Sequence, residues 1–387
     1  MTQSTTADRS SGDLPPGALE RGGRVRVVHG RCDVLAPGGT DGGDAAAWGN
    51  GSLGACNRLW EARKIISGHV GAERMELPWS EPVAWSVCDT FMVRAGLSNH
   101  RPALISFRQN AIFYVPGPDI SLRIYGPGEN QTRATLMVIS ARWLEEHNFP
   151  AVRLSPIETT QPFNVLGYQT SVWQWVAADK AKQDSAFAYG KLLRRFHDLP
   201  ATDAPPVPDF DQITRIRQRL DRIRAAEIIS KEARAVLTGV VGRAAGMADS
   251  LGDTRLGRGI LHGDAMPGNA VQSSGEMVMI DLDSVCIGPR EWDLVPMYVT
   301  SKRFSRNGEA RWRAFLNGYG ADDGDLPDLQ AASIIKQLSM TIYLCLSAGQ
   351  SPGIDAEIAR RIRMWETWDL AGKWTTGFTI GPSERPN

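Results

Sequence analysis

Alternating apolar and polar positions around residue 120 predict a β-hairpin. An apolar run at residues 111–115 is followed by the turn sequence at 116–119, and residues 120–125 then alternate between aliphatic and polar or larger side chains. Because side chains two apart on a strand share a face, Arg123 is expected on the face opposite the aliphatic residues. A further short strand is predicted near residues 164–170.

Apolar residues at helical spacing predict helices through the rest of the chain. One amphipathic helix is expected at residues 132–147, and beyond about residue 180 the chain is mainly helical, with helices near 308–318, 330–347 and 355–370. One strand pair, at residues 270–280, interrupts this half. A helix around residue 216 has an apolar stripe with interleaved arginines, which we expect to form a solvated face: Arg215, Arg217, Arg219 and Arg222.

These elements predict an α+β fold with a small sheet-containing lobe and a larger helical lobe. The first sixty residues contain 12 Gly and 3 Pro, so we expect residues 1–55 to be a disordered extension. Residues 56–171 are assigned to the small lobe, 172–177 to a hinge and 178–373 to the helical lobe. A disordered tail is expected at 374–387.

Composition excludes several classes of function. The chain has 43 Lys and Arg and 43 Asp and Glu, which lacks the basic excess of a nucleic-acid-binding protein. Its five cysteines are scattered, without metal-ligand spacing. The N-terminal residues do not form a signal-peptide pattern, and the apolar stretch at 338–346 is too short to span a bilayer. We therefore expect a cytoplasmic protein that does not associate with membranes.

The most informative segment runs from His262 to Asp293. Around the turn at residues 273–276, an antiparallel hairpin would set Asn269 opposite residue 280 or its neighbour. The hairpin therefore brings Asn269 and Asp281 to the same end of a strand pair, with Asp264 on the loop that enters it. Such hard oxygen ligands suit Mg²⁺ bound to substrate phosphates.

Phosphoryl transfer uses metal-binding side chains together with a carboxylate that accepts the proton of the attacking hydroxyl. In kinases a catalytic Asp precedes an Asn by five residues, and a second Asp follows a strand. Asp264, Asn269 and Asp281 have that order. The chain lacks the His-Arg-Asp, Asp-Phe-Gly and Ala-Pro-Glu sequences, which argues against a protein kinase.

These residues resemble the aminoglycoside phosphotransferase family, which has a bilobal protein-kinase-like fold. The resemblance rests on a few short stretches of sequence, namely His262-Gly263-Asp264 with Asn269, Ile280-Asp281 with Asp283, Gly288-Pro289-Arg290-Glu291-Trp292-Asp293-Leu294, Ser121-Leu122-Arg123-Ile124, and Tyr189-Gly190-Lys191-Leu192-Leu193 with Phe196-His197. It implies an ATP- and Mg²⁺-dependent enzyme that phosphorylates a hydroxyl of a small molecule, with antibiotics such as aminoglycosides among the candidate acceptors.

By that resemblance, Asp264 is the catalytic base, and Asn269 and Asp281 are the Mg²⁺ ligands. Arg123 is the phosphate contact of the nucleotide, and the hinge near residues 172–176 holds the adenine through backbone groups. Asp283 is a candidate for a further metal contact or for a loop hydrogen bond.

Four other residues have roles that are less specific. Trp173 and Trp175 are candidates for the nucleotide pocket, although tryptophans in such a segment more often serve packing than adenine stacking. His262 is expected to orient the catalytic loop and Asp293 to brace it, so both are supporting residues.

The chain departs from the family pattern at two positions of the small lobe. Arg123 stands where the family often has Lys, and Met137 stands where we would place the ion-pairing Glu of the following helix. These departures leave open a nucleotide-binding pseudokinase or regulatory module without turnover. A third alternative, a sugar transferase using Asp281-Leu282-Asp283, would require an N-terminal nucleotide-sugar domain that the pattern of residues 1–110 does not predict.

Overall fold

The smaller lobe is built on a five-stranded antiparallel sheet. The computed structural model of the protein describes residues 79–179, 186–249, 251, 255–304, 307–322, 324, 326 and 329–375. The strands are β1 (Ala103–Phe107), β2 (Asn110–Val115), β3 (Ile120–Tyr125), β4 (Phe163–Val165) and β5 (Tyr168–Gln174). They lie in the order β1-β2-β3-β5-β4, so β3 is the central strand.

The predicted hairpin of β2 and β3 is confirmed, with Ile112 paired to Arg123. The aliphatic residues of β3 pack into an apolar core with helix α1 (Glu81–Arg94). Arg123 lies on the opposite face of the strand, as the alternation predicted, and its side chain reaches Asp281 of the larger lobe. The central strand therefore holds a charged group between the two lobes.

The single strand predicted at residues 164–170 is wrong. The segment forms a tight turn between β4 and β5, in which Leu166 and Gly167 have φ values of 52° and 91°. Asn164 Oδ1 accepts a hydrogen bond from the Gly167 amide at 2.8 Å. Asn and Gly favour such turns because they tolerate or stabilise left-handed backbone, a signal that the apolar pattern masked.

Helices form most of the described part of the larger lobe. Helix α2 (Glu129–Glu146) confirms the helix predicted at 132–147 and packs between the lobes. The larger lobe contains α3 (Ala186–His197), α4 (Gln212–Ala225), α5 (Lys231–Asp249), α6 (Glu291–Arg303), α7 (Gly308–Tyr319), α8 (Leu329–Cys345) and α9 (Pro352–Thr367). The last three confirm the helices predicted near 308–318, 330–347 and 355–370.

Helices α3 and α7 are in backbone contact. A Cβ atom added at Gly190 would lie 2.1 Å from the Phe315 carbonyl oxygen, and one added at Gly318 would lie 2.0 Å from that of Phe187. Only glycine permits this approach. The contact fixes α3 in place, and Tyr189 of α3 donates a hydrogen bond to the Ala265 carbonyl of the loop at residues 262–269.

Two short strand pairs frame that loop. The predicted pair at 270–280 is confirmed as β7 (Ala270–Ser273) with β8 (Glu276–Met279), and Ile280 donates its amide hydrogen to the Asn269 carbonyl at 2.9 Å. A second antiparallel pair, β6 (Arg258–Leu261) with β9 (Cys286–Pro289), was not predicted. Each of its strands has only four residues and includes a glycine, so neither strand shows enough apolar alternation to be recognised from the sequence.

The predicted segment boundaries concern residues that are only partly described. Residues 1–55 and 376–387 lie outside the described part of the chain. Strand β5 continues to Gln174, so the predicted hinge at 172–177 begins within the sheet. Trp374, placed in the predicted tail, is buried and donates its backbone amide hydrogen to the Arg303 carbonyl. Within the described residues, no helix combines the length and apolar character needed to cross a membrane.

Candidate active site

The candidate catalytic loop, residues 262–269, connects β6 to β7 and turns sharply at its second residue. Gly263 has φ +78°, and a Cβ atom added there would lie 2.0 Å from the Ser284 carbonyl oxygen. The Gly263 carbonyl accepts a hydrogen bond from Trp292 Nε1 at 3.0 Å. Tyr189 donates its hydroxyl hydrogen to the Ala265 carbonyl at 2.7 Å. The loop is therefore fixed to α3, α6 and the segment that precedes β9.

A fully buried carboxylate holds the start of this loop. Asp293 Oδ2 accepts the amide hydrogen of His262 at 2.6 Å, and Oδ1 accepts that of Gly263 at 2.9 Å. The same carboxylate lies 3.1 Å from His197 Nε2, and His197 Nδ1 lies 2.7 Å from the Tyr319 hydroxyl. The sequence did not indicate this place for His197, because its partners are distant along the chain.

The imidazole of His262 connects the loop to the end of the hairpin. Its Nε2 lies 2.9 Å from the Ile280 carbonyl oxygen, which can only accept, so Nε2 carries the hydrogen. Its Nδ1 then accepts the amide hydrogen of Asp264 at 3.4 Å. Both ring nitrogens therefore contact backbone groups, which is the geometry of a positioning residue.

Asp264 lies on the cleft wall, paired with a lysine that sequence reasoning missed. Lys336 Nζ of α8 lies 2.8 Å from Asp264 Oδ1, with 9% of the lysine side chain and 44% of the aspartate side chain exposed. Burial raises the pKa of the Asp264 carboxyl, but Lys336, with smaller contributions from His262 and Arg219, outweighs burial and holds the pKa below its ordinary value. The carboxylate is therefore ionised and remains accessible from the cleft.

Asn269 is fixed by its backbone and by one end of its amide. Its Nδ2 donates to the Asp264 carbonyl at 2.8 Å, and its backbone carbonyl pairs with Ile280. Its Oδ1 has no hydrogen-bond partner among the described residues. An amide oxygen is thereby presented next to Asp281, which follows directly in the chain after Ile280.

Arg123 joins the two remaining carboxylates. Its Nη1 lies 2.6 Å from Asp281 Oδ1 and its Nη2 lies 2.9 Å from Asp283 Oδ2. Burial and the neighbouring charge of Asp281 raise the pKa of Asp283, while Arg123 opposes that rise. Asp281 adopts φ +62°, a left-handed conformation that turns its side chain out of the strand direction. Arg123 of the small lobe therefore forms ion pairs with both carboxylates among the candidate metal ligands.

None of the described side chains of helix α2 is an acid that pairs with Arg123. Met137 is 4% exposed, and its Sδ lies 3.2 Å from the Tyr125 hydroxyl. One turn earlier, Arg133 lines the cleft and its charge acts on Asp283. Where an ion-pairing Glu was expected, Met137 therefore carries no charge and accepts a hydrogen bond from the Tyr125 hydroxyl through its sulfur.

The lobes enclose a cleft of about 930 Å³ whose walls include both candidate tryptophans. Trp173 is 2% exposed and donates Nε1–H to Ser171 Oγ at 2.7 Å, so it presents little ring surface. Trp175 is half-buried and packs on Tyr114 with ring centroids 4.5 Å apart.

The far end of the cleft is lined in part by arginines that the sequence analysis expected on a solvated face. Arg215 and Arg219 of α4 are half-buried in its wall, which corrects the expectation for these two residues. Arg217 and Arg222 are exposed, as expected. Helical spacing places Arg222 on the same face as Gln212, Arg215 and Arg219, so spacing alone could not have separated the cleft arginines from the exposed ones.

Known proteins match both the sequence and the fold. The phosphotransferase enzyme family (APH) matches residues 108–333. Curated protein sequences gave no match. Among solved structures, the amicoumacin kinase hAmiN, in complex with AMP-PNP, Ca²⁺ and Ami, is similar with a TM-score of 0.60 and 13% identity, covering 76% of this chain and 98% of that chain.

Two further structures have the same fold. A choline/ethanolamine kinase family protein from Mesorhizobium loti gives a TM-score of 0.53 at 16% identity, covering 74% of this chain and 94% of that one. The aminoglycoside phosphotransferase APH(3'')-Id from Streptomyces rimosus gives 0.50 at 17% identity, covering 67% and 99%. These similarities confirm the predicted bilobal kinase-like fold. Because the family match spans more than half of the 387 residues, the chain belongs to the phosphotransferase enzyme family.

Proposed function

We propose that this protein transfers the γ-phosphoryl group of ATP to a hydroxyl of a small molecule, with Asp264 as the base. The observation that carries the proposal is the convergence of Asp264, Asn269, Asp281 and Arg123 in one cleft between the lobes. Three of these come from the loop and hairpin of the larger lobe, and the fourth comes from the central strand of the smaller lobe.

Asp264 would accept the proton of the acceptor hydroxyl as its oxygen bonds to the γ-phosphorus. The bond from that phosphorus to the β,γ-bridging oxygen breaks, and ADP leaves with the bond's electron pair. A base must be ionised before it can act, and Lys336 favours that state by lowering the pKa of Asp264. The hydrogen bonds of His262 and Asp293 to the loop backbone support the position of the carboxylate.

Mg²⁺ would be held by Asn269 and Asp281, with Asp283 as a further contact. The donor set fits this ion: one amide oxygen and two carboxylates are hard oxygen ligands, and Asn269 Oδ1 is without a hydrogen-bond partner in the described residues. Bound there, the ion would offset the negative charge of the nucleotide phosphates. Arg123 lies against both carboxylates and would exchange part of this contact for phosphate oxygens.

The nucleotide would lie against the small lobe. Arg123 Nε is buried and unpaired within the described part of the chain, so a donor is available to a phosphate oxygen. Trp173, Trp175 and backbone groups of residues 172–177 would line the adenine pocket. The structural neighbour hAmiN was solved in complex with AMP-PNP, which supports the use of a nucleotide by this fold. A cytoplasmic location, where ATP is abundant, belongs to the same proposal.

One observation favours a second candidate, a nucleotide-binding pseudokinase. Arg123 is paired to both candidate metal ligands, and Met137 supplies no charge that would draw it away. In that case Mg²⁺ and ATP would bind without transfer to any acceptor.

The two candidates are separated by one experiment. We expect Mg²⁺ with ATP to raise the melting temperature of the protein and a panel of hydroxylated compounds to stimulate ADP release. Asp264→Ala should keep the thermal shift and lose the stimulated release. A thermal shift without release over the whole panel would favour the pseudokinase, and full release by Asp264→Ala would contradict the assignment of the base.

A further inference from the structure

The end of the cleft where the nucleotide phosphates would lie contains three arginines from three different elements. Arg108 lies in the turn between β1 and β2, Arg123 lies on β3 and Arg133 lies on α2, and all three line the cleft. Asp281 and Asp283 are the acids that line this end in the described part of the chain. The proposed function uses Arg123 and leaves the other two arginines without a role.

Arg123 by itself offers little to a nucleotide. Its two terminal nitrogens are already held by carboxylates, at 2.6 Å from Asp281 and 2.9 Å from Asp283. Its remaining donor, the buried Nε, is the one without a partner among the described residues. A bound Mg²⁺ ion would compensate the two carboxylates, which leaves Arg123 as a single cation for a triphosphate that carries several negative charges. Further cations are therefore expected at this end.

The backbone of Arg108 is fixed, whereas its side chain is open to the cleft. Arg108 donates its amide hydrogen to the Asn110 carbonyl at 3.0 Å, and its own carbonyl accepts a hydrogen bond from Trp79 Nε1 at 2.7 Å. The exposed guanidinium forms no ion pair or hydrogen bond with a described residue. Two residues further on, the side-chain oxygen of Asn110 accepts a hydrogen bond from Arg123 Nη2 at 2.8 Å. The turn therefore anchors Arg108 close to Arg123.

Arg133 approaches the same end from α2. It is half-buried and lies one helical turn before Met137, so the two residues share a face of the helix. Burial and Asp281 raise the pKa of Asp283, and the charges of Arg123 and Arg133 oppose that rise. Arg133 thus lines the cleft within electrostatic reach of Asp283. The helix contributes a cation here, although the sequence analysis looked for an acid.

We propose that Arg108 and Arg133 are phosphate contacts of the nucleotide, so that three arginines hold the triphosphate in place of the family's Lys and ion-pairing Glu. This inference rests on the proposed function, since it names further contacts of the same nucleotide. A guanidinium group presents its donors in a planar fork that matches two phosphate oxygens at once. Contacts of this kind recognise the phosphate chain and are indifferent to the base and the ribose.

The test separates the phosphate chain from the nucleoside. The wild-type protein, Arg108→Gln and Arg133→Gln are titrated calorimetrically with ATP, with inorganic tripolyphosphate and with adenosine, all in the presence of Mg²⁺. Each variant should raise the Kd for ATP by about tenfold or more, weaken tripolyphosphate to a similar degree and leave the Kd for adenosine within about twofold. Arg108→Lys should recover part of the affinity for ATP, because lysine keeps the charge and loses the fork.

Two exposed arginines outside the cleft lining supply matched controls. Arg101 precedes β1, and Arg142 lies on α2. Arg101→Gln and Arg142→Gln should match the wild-type protein with all three ligands. Adenosine reports on whether each variant keeps an intact site, so equal losses of ATP and adenosine affinity would indicate a structural role and overturn the proposal. Wild-type affinity for ATP in Arg108→Gln or in Arg133→Gln would overturn it as well.

The failure of this proposal is distinguishable from the failure of the proposed function, because the titrations need no acceptor. A wild-type protein that binds Mg²⁺ and ATP but phosphorylates no acceptor would contradict the proposed function, and the binding constants would still decide the role of the two arginines. A wild-type protein that binds no ATP would contradict both. Unchanged constants in the variants, with phosphoryl transfer intact, would overturn this inference alone.

Discussion

Replacing Lys336 by methionine removes the cation that lies 2.8 Å from Asp264 Oδ1. Methionine retains an unbranched side chain with high helix propensity, so α8 and its packing should persist. Burial raises the pKa of the Asp264 carboxyl, and Lys336 is the largest influence that lowers it. Without the lysine the pKa of Asp264 should therefore rise, since only the charges of His262 and Arg219 remain to oppose burial.

The size of the effect follows from the distance and the exposure. Because 44% of the Asp264 side chain is exposed, the pair is screened far more than a buried one, and we take an effective dielectric constant of about 60. Two unit charges at this separation then interact by about 2 kcal/mol. That energy corresponds to a little more than one pH unit in the position of a titration.

The assay is the pH dependence of kcat/KM between pH 4 and 8, measured with any acceptor that the protein phosphorylates. In the wild-type protein the acid limb attributable to Asp264 should lie below the ordinary range of an aspartate, and in Lys336→Met it should move to higher pH. Lys302→Met, a change to an exposed lysine that pairs with Glu309, is the control. Superposable profiles of Lys336→Met and the wild-type protein would refute the role of Lys336.

Stability provides an independent check on the same pair. In the wild-type protein the lowered pKa of Asp264 contributes stability that is present above the unfolded pKa and is lost as the pH falls through the folded value. The Lys336→Met variant has a higher folded-state pKa at Asp264 than the wild-type protein, because the charge of Lys336 no longer opposes burial. Its deficit in unfolding free energy should therefore grow as the pH rises from about 4 to 7, and a deficit independent of pH would contradict this account.

Two further predictions concern the loop and the cation of the small lobe. Gly263→Ala introduces a Cβ 2.0 Å from the Ser284 carbonyl oxygen at a positive φ, so urea unfolding should show a loss of about 3 kcal/mol. Gly268→Ala, with open space around its Cβ, should be nearly neutral, and equal losses would refute the packing argument. Arg123→Gln leaves Asp283 buried without its cation and should cost about 3 kcal/mol at pH 7. Because burial raises the pKa of Asp283, its folded form takes up a proton first, so this loss should shrink towards pH 5; an equal loss at both pH values would contradict it.

The hairpin that carries the candidate site was predictable because local signals determined it. The turn at residues 273–276 and the short apolar strands fix the register, and this register sets Asn269 beside Ile280. The alternation in β3 likewise fixed the face of Arg123. In both cases the relevant partner lies within a few residues of a turn, so sequence spacing translates directly into distance.

The groups that complete the site were not predictable by the same means. Lys336 meets Asp264 across 72 residues, and only the packing of α8 brings them together. Arg215 and Arg219 flank an apolar stripe, and helical periodicity cannot distinguish a cleft wall from open solvent. The β6–β9 pair depends on the long-range contact of two four-residue strands, for which a single sequence contains no local signal.

The proposed phosphoryl transfer depends most directly on Asp264, which accepts the proton of the acceptor hydroxyl. The measurement is the rate at which the γ-phosphoryl group of ATP appears on an acceptor, followed by ³¹P nuclear magnetic resonance for the wild-type protein and Asp264→Asn at saturating Mg²⁺ and ATP. We predict a fall of at least about a hundredfold in kcat for Asp264→Asn, with the dissociation constant for ATP changed only a few-fold. Equal rates of phosphoryl transfer by the two proteins would contradict the account.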